Sequence, residues 1–534
     1  MFKLVLAVAL LSLALAWQPS PLSFKRFEEE ADAGVHFKRP PSYSSYILSG
    51  YIELPYAEIK EQFTVYFDSK TNNSRIDYYD GLVKTIQRGD AQNVMYKIAY
   101  TSTETTLNKL TCFHTPGSAE SPVRPQGGVP SLDEFSFIGT TKYNGRTADQ
   151  WRFTEIIGSK KNVYTFIVDT QTGHPYRYEM AGYDSLFGSH FDKYYIEYNY
   201  FSDATPDADV FQPPSDLDCQ GWQPGTAENH VLMNPLSEYV SRNVKHHDEM
   251  FDAFKQTHNK NYVTEKEHAA RHSVFLQNVR FIHSHNRAAK PYRVAINHLA
   301  DRTDEELRAL RGFRRTTKNS NAELYNPLLH NAQGVEAQPD NWDWRLYGAV
   351  TPVKDQAVCG SCWSFGTTGC VEGAHFMKTG NLVRLSQQEL VDCSWGEGNY
   401  GCDGGEDFQA YEFIKKHGLS TEDYYGAYMA QDGICKVNNV TSVAHITGYV
   451  SIPSGDQDAL RQAMIAHGPI SVAIDASHKS LSFYANGVYY EPQCGNTIDS
   501  LDHAVLAVGY GKLRDGSSYW LVKNSWSTYW GKFI

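Results

Sequence analysis

The chain has 534 residues, more than one hydrophobic core usually organises, so several domains are expected. Its formal net charge of -12 and the lack of a basic cluster argue against nucleic acid as a partner. Met1 to Ala16 carries one lysine, an apolar run from Leu4 and the small residues Ala14-Leu15-Ala16 before Trp17, which is the pattern of a signal peptide over 1–16. No other segment is apolar for long enough to span a bilayer. The expected product is soluble, has no membrane partner and enters the secretory route, bound for the extracellular space or the lysosome.

Residues 17–235 are rich in tyrosine, threonine and phenylalanine. The runs YSSYILSGYIEL, QFTVYFD, SRIDYYD, VYTFIVD and KYYIEYNYF, separated by Asn, Gly and Asp, alternate as antiparallel strands do. They predict a strongly curved sheet or open barrel whose aromatic positions form its core. Asn72-Asn73-Ser74 in this region and Asn439-Val440-Thr441 far downstream have the pattern of glycan acceptors.

Residues 236–337 read differently. Glu267, Arg271, Phe275, Asn278, Ile282 and Asn286 recur at spacings of four and three, so they share one helix face, with Glu267 placed to pair with Arg271 one turn on. Ala295, Asn297, Leu299 and Asp301 alternate as a strand would. The eight histidines from His246 to His298 would gain charge as pH falls toward about 5 and loosen this segment, with His283 and His285 the leading candidates. Arg314-Arg315 through Ala337 is polar and without periodicity, an exposed linker suited to cutting. Its removal would leave a chain starting near Gln338.

The last segment, 338–534, carries the chemistry. In QAVCGSCWSF, Cys362 has small neighbours before it and an aromatic after it, as a nucleophile at a helix start. Such a site lowers a thiol from a pKa of about 8.5 to roughly 3.5–7.5. His503 leads the apolar strand-like run HAVLAVGYG, and Asn524 follows another, YWLVK. Cysteine, histidine and asparagine are a nucleophile, a base and an orienting group. Nine cysteines leave at least one without an internal partner. A bridge between Cys112 and Cys219 is expected upstream, Cys362 stays free, and Cys370 reads as a buried, inert thiol. No cofactor or metal site is expected: His246-His247 lacks partner cysteines at ligand spacing, and Gly509-Tyr510-Gly511 lacks the context of a nucleotide loop.

From Pro339 through AVTPVKDQ, the Cys362 motif, GCDGG, GPISVAI, the His503 strand and NSW, the chain resembles papain-family cysteine proteases of the L-type cathepsin branch. The resemblance implies an α+β, papain-like two-lobe protease (a helical lobe plus a β-barrel-like lobe), preceded by a helical inhibitory propeptide and an N-terminal antiparallel β-sheet domain. It implies that Gln356 and the backbone N–H of Cys362 form the oxyanion hole and that Trp526 covers the His503–Asn524 bond. It pairs Cys359 with Cys402 and Cys393 with Cys435. The family counterpart of Cys494 pairs near the C-terminus, so the sequence reads as C-terminally truncated. The face from Glu267 to Asn286 resembles the interrupted helix motif of the propeptides. Ala295 to Asp301 resembles the motif after it, with alanine and leucine replacing the usual glycine and phenylalanine. This segment is implied to inhibit by laying its tail backwards through the cleft.

By the same resemblance Gly404 and Gly405 align the substrate backbone. Ala473 and Leu501 would wall the pocket for the side chain two places before the cleaved bond, and Glu406 and Asp407 replace its usual apolar lining, which suggests a taste for basic or polar side chains. The N-terminal part is dimly similar to the ependymin group through IDYYDG, FIVDTQTG and FQPPSDLDC. The whole resembles insect blood-cell proteases in which such a domain accompanies a cathepsin-like one, an arrangement that could leave two associated chains after cutting. The implied activity is endopeptidase cleavage of protein and peptide substrates through a Cys362 thioacyl-enzyme, held latent by the chain's own propeptide. The alternatives are a dipeptidyl exopeptidase whose sheet domain blocks the cleft, and a protease-like protein whose sheet binds a hydrophobic ligand.

Overall fold

A computed structural model describes residues 38–101, 108–221, 234–242, 245–315, 322–330, 338–513 and 515–531; the expected signal peptide lies outside them. The alternating runs become strands β1 (Ser45–Leu54), β2 (Ile59–Asp68), β3 (Asn73–Tyr78), β4 (Val83–Arg88), β5 (Val94–Thr101), β6 (Lys109–Pro116), β7 (Ser136–Tyr143), β8 (Arg146–Ile157), β9 (Lys160–Asp169), β10 (Pro175–Asp184), β11 (Ser189–Ser202) and β12 (Cys219–Gly221). They form one 12-stranded sheet in the order β12-β6-β5-β4-β3-β2-β1-β11-β10-β9-β8-β7. Its end strands β12 and β7 do not pair with each other, so it is an open sheet and not a closed barrel.

Alternation decides which face is dry. Along β1, Tyr46, Leu48, Ile52 and Leu54 are buried while Ser49, Tyr51 and Glu53 are half-buried, as period-two side chains require. With Val65, Tyr78, Trp151, Phe166, Tyr178 and Ile196 they form the core of the sheet. The expected Cys112–Cys219 disulfide is present and fastens β12, which runs parallel to β6. Helix α1 (Pro235–Val240) puts Leu236, Tyr239 and Val240 into this same core, so the sheet and the start of the next segment share one interior.

Helices α2 (Lys245–Thr257), α3 (Glu265–Arg287) and α4 (Asp304–Ala309) follow. Thr264 starts α3 by accepting the Glu267 N–H at 3.1 Å, and the Glu267 carboxylate accepts the N–H of Val263 at 3.0 Å, satisfying donors that a helix start leaves open. This engages Glu267 locally, so the expected pairing with Arg271 is not made. Arg271 instead donates twice to Glu306, at 2.5 and 2.8 Å, clamping α3 to α4. Phe275 and Ile282 enter a core with Phe251, Phe254, Tyr292 and Leu310 that extends to Ala476, Leu481, Phe483 and Trp526 of the last segment. Asn278 donates to the carbonyl of Ala300 at 2.9 Å, and Asn286 both donates to and accepts from the backbone of Val294, at 2.8 and 3.1 Å. The strand expected over 295–301 is displaced: only Tyr292–Val294 is a strand, pairing with Tyr484–Gly487, and a turn follows in which Asp301 takes Lys260 and Tyr262 at 2.9 and 2.8 Å.

The other face of α3 belongs to the sheet. Arg280 lies between Asp192 of β11, at 3.0 Å from each oxygen, and Glu238 of α1 at 2.7 Å. Arg287 makes two bonds of 2.6 Å to Glu61 of β2. All five groups are buried, and breaking such a pair typically costs about 3–5 kcal/mol. Three of the eight histidines expected to charge near pH 5 behave otherwise. Burial pushes His283 and His285 down to about 3 and His298 down to about 4, so in the docked segment they stay neutral at that pH.

The last segment has two lobes. Helices α5 (Cys362–Thr379), α6 (Gln387–Cys393) and α7 (Asp407–His417) pack around Trp363, Leu390 and Phe413. The disulfides Cys359–Cys402 and Cys393–Cys435 hold this lobe, as implied. The second lobe is built on the strand His503–Lys512, flanked by Ile470–Ile474 and Ser518–Lys523. Helix α5 lies directly on it because Gly366 and Gly369 present no side chain: a Cβ there would meet Ser471 Oγ at 2.3 Å and a Leu506 methyl at 2.6 Å.

Candidate active site

Cys362 opens α5 and His503 opens its strand, so the two lobes bring them to one cleft. The Ala504 N–H lies 3.5 Å from the Cys362 sulfur. His503 Nε2 donates to Asn524 Oδ1 at 2.8 Å, which puts the ring proton on Nε2 and leaves Nδ1 as the basic nitrogen. Trp526 lies over the imidazole with ring centroids 4.7 Å apart and is itself buried, so water is kept from the bond. Gln356 Oε1 accepts from Ser525 Oγ at 2.7 Å, which fixes the amide with its nitrogen toward the cleft.

That nitrogen is already occupied. Gln356 Nε2 donates to the carbonyl of Leu310 at 2.8 Å, as well as to that of Cys359 at 2.8 Å. Leu310 begins the stretch that runs through the cleft to Arg314. The Gly405 N–H donates to Gly312 O at 2.9 Å, Arg314 N–H to Gly405 O at 2.9 Å, and Phe313 N–H to Asp502 O at 3.0 Å. Phe313 pairs in parallel with Gly405. Gly312 is the tightest point: a Cβ there would lie 1.7 Å from the carbonyl oxygen of Gly360, and one on Gly404 would lie 2.7 Å from Gly312 O.

Covering the cleft reverses the electrostatics expected from a helix start. Burial pushes the Cys362 thiol up to about 12 against the backbone N–H groups around it, and burial pushes His503 down to about 4. Cysteine and histidine are both neutral in this state. Desolvation, which disfavours every charged form, outweighs the helix terminus here.

The remaining predicted residues fall in three groups. Gly404 and Gly405 lie against Gly312 of the stretch in the cleft, Ala473 is opposite Ala504 in the sheet register, and Leu501 precedes Asp502, whose carbonyl accepts from Phe313. Asp407, the first residue of α7, accepts a hydrogen bond from Ser471. Burial pushes its carboxyl up to about 7 despite that bond, with Glu406 adding to the rise. Cys370 and Cys494 are free thiols, the second exposed. Of the two glycan patterns, Asn439 is exposed, while the Asn72 amide donates to the carbonyl of Gly89 at 2.7 Å. Sequence reasoning missed Leu310 and Gly312, whose signal is the lone small residue between Arg311 and Phe313.

Residues 338–533 match the family described as "Papain family cysteine protease", and residues 251–307 match the "Cathepsin propeptide inhibitor domain (I29)". A "Cathepsin L-like peptidase" of Aedes aegypti is 47% identical over 292 residues, covering 53% of this chain and 85% of that relative. "Digestive cysteine proteinase 1" of Homarus americanus is 45% identical over 289 residues, covering 53% of this chain and 86% of that one. Among solved structures, digestive procathepsin L 3 of Tenebrio molitor larval midgut aligns with 37% identity and a TM-score of 0.48 over 54% of this chain and 91% of that one.

Proposed function

Because the chain belongs to the papain family of cysteine proteases, in its L-type cathepsin branch, we propose that it is a secretory-route endopeptidase made as a latent zymogen. Cys362 is the nucleophile, His503 the base and acid, Asn524 the group that orients His503, and Gln356 with the Cys362 N–H the oxyanion hole. The thiol proton passes to His503 Nδ1 and the sulfur attacks the peptide carbonyl. The oxyanion is held while His503 protonates the departing amine, and water then hydrolyses the thioester. The observation that carries this reading is the Leu310 carbonyl on Gln356 Nε2: a peptide carbonyl already sits where a substrate's developing oxyanion is to be stabilised.

Latency follows from the same contact. While Leu310 to Arg314 fill the cleft, the thiol and imidazole are dry and neutral. Cutting within 315–338 and displacing this stretch admits water and removes the cost of ionising them. The sheet reaches the rest of the chain through Glu61, Tyr79, Asn108 and Asp192, whose partners lie on α3 and the turn after it. This supports a sheet that retains the propeptide, and favours an open-ended cleft over the dipeptidyl alternative.

The test is to acidify the full chain to about pH 5 and assay a dipeptide substrate blocked at both ends, with Cys362→Ala as the control. Activity that appears with processing and is absent from the control is expected. Release of dipeptides only from substrates with a free N-terminus would replace this reading with the exopeptidase one.

A further inference from the structure

The sheet and the propeptide meet at a second cluster of functional groups, away from the cleft. Glu238 near the end of α1 and His246 and His247 in the first turn of α2 come together so that one ligand atom of each lies within 4.8 Å of the others. The two imidazole centroids are 3.9 Å apart, and His247 Nε2 is 3.1 Å from a Glu238 oxygen. Glu238 is 6% exposed and His247 1%, so the cluster is dry on the carboxylate side. Only the His-His pair marks it in the sequence, because Glu238 is supplied by a separate helix.

Charge makes the cluster more than a coincidence of side chains. Asp192 and Glu238 share the single guanidinium of Arg280, and on its other side Glu238 faces the imidazole of His247 at 3.1 Å. The next guanidinium on α3, Arg287, is engaged by Glu61. Buried charges require a counter-charge or a metal. His283 of α3, also buried, lies near enough to interact electrostatically with Glu238, His246 and His247.

We propose that Glu238, His246 and His247 form a zinc(II) site at the seam between the N-terminal sheet and the propeptide. Two neutral imidazoles and a carboxylate are ligands that zinc favours and that calcium and magnesium, which prefer all-oxygen sets, do not. Tetrahedral bonds of about 2.0–2.1 Å place ligand atoms roughly 3.3–3.5 Å apart, near the 3.1 Å separation of His247 and Glu238. The ion would add positive charge where two buried carboxylates share one guanidinium. It ties α1, which lies in the core of the sheet, to α2, which lies in the core of the propeptide.

The full-length Cys362→Ala protein, which cannot process itself, is equilibrated with zinc, dialysed and analysed for metal. His246→Gln and His247→Gln are made in the same background, so that Cys370 and Cys494 are common to all samples. Expected are one equivalent of retained zinc in the parent, its loss in both variants, and a zinc-dependent rise in unfolding temperature in the parent alone. No retained zinc, equal retention in parent and variants, or retention of calcium in preference to zinc would each overturn the assignment. If His247→Gln does not fold, half-buried His246 decides the matter through His246→Gln.

Discussion

Replacing His285 with phenylalanine is expected to blunt the acid sensitivity of the docked propeptide. His285 is 7% exposed on α3, with its ring near those of Phe281 and Tyr292. Burial, with Lys290 and Arg293 adding to it, pushes its pKa from 6.5 down to about 3. Between these values the docked ring stays neutral while the ring of a released helix takes up a proton. The released state therefore binds more protons, and docking weakens as pH falls from 6.5 toward 3. At pH 5 the difference is roughly 1.5 pH units, or about 2 kcal/mol, a factor of roughly 30 in the released fraction. Phenylalanine keeps a ring in place and removes the titration. The assay is hydrogen exchange of the α3 amides in full-length Cys362→Ala at about pH 7 and about pH 5, corrected for intrinsic exchange. The parent should lose about 2 kcal/mol more opening free energy than the variant; an equal loss in both would refute the reasoning.

Glu306→Gln should weaken docking without changing its slope from pH 7 to 5. Its carboxyl is held down to about 2 against burial by the Arg271 bonds, so this stabilisation is complete above 4.5 and is lost only as pH falls toward 2. The same exchange measurement separates the two variants. Gly312→Ala, whose Cβ would lie 1.7 Å from Gly360 O, should unseat the cleft segment and let an active-site thiol probe label Cys362 in the uncut chain at neutral pH. Gln356→Ala in the processed enzyme should lower kcat by about 10²–10³ with little change in KM, as removal of an oxyanion donor does. At Asp407, whose carboxyl is pushed up to about 7, preference for arginine over leucine two residues before the cleaved bond should rise between pH 5 and 8 and vanish in Asp407→Met; a constant preference would place the carboxylate outside the pocket.

The placement of the proposed catalytic residues was legible because each sits in a local pattern that also dictates its backbone: Cys362 at a helix start, His503 at a strand start, Asn524 after a strand. The face of α3 toward the protease was legible for the same reason, since Phe275 and Ile282 are apolar at helical spacing. Its opposite face was not. Gln277, Arg280, Ser284 and Arg287 are polar residues at helical spacing, a stripe that a helix normally turns to water, and partners distant in sequence, among them Asp192 and Glu61, 88 and 226 residues away, make it an interior. Arg271 was misassigned because a partner one turn away is visible in sequence and Glu306, 35 residues on, is not. The thiol was misjudged because the helix start is a local feature, whereas its desolvation is produced by a segment that lies before it in the chain.

The double-sided burial of α3 also orders events during synthesis. The sheet leaves the ribosome first, so Glu61 and Asp192 are in place when Arg280 and Arg287 emerge, and the inhibitory helix has a folded partner before any protease exists. His503 follows Phe313 by on the order of 10–40 s at about 5–20 residues per second. Throughout that interval the guard is anchored and waiting. In this order of synthesis the cleft is completed last, against a helix that the sheet already holds from its other side.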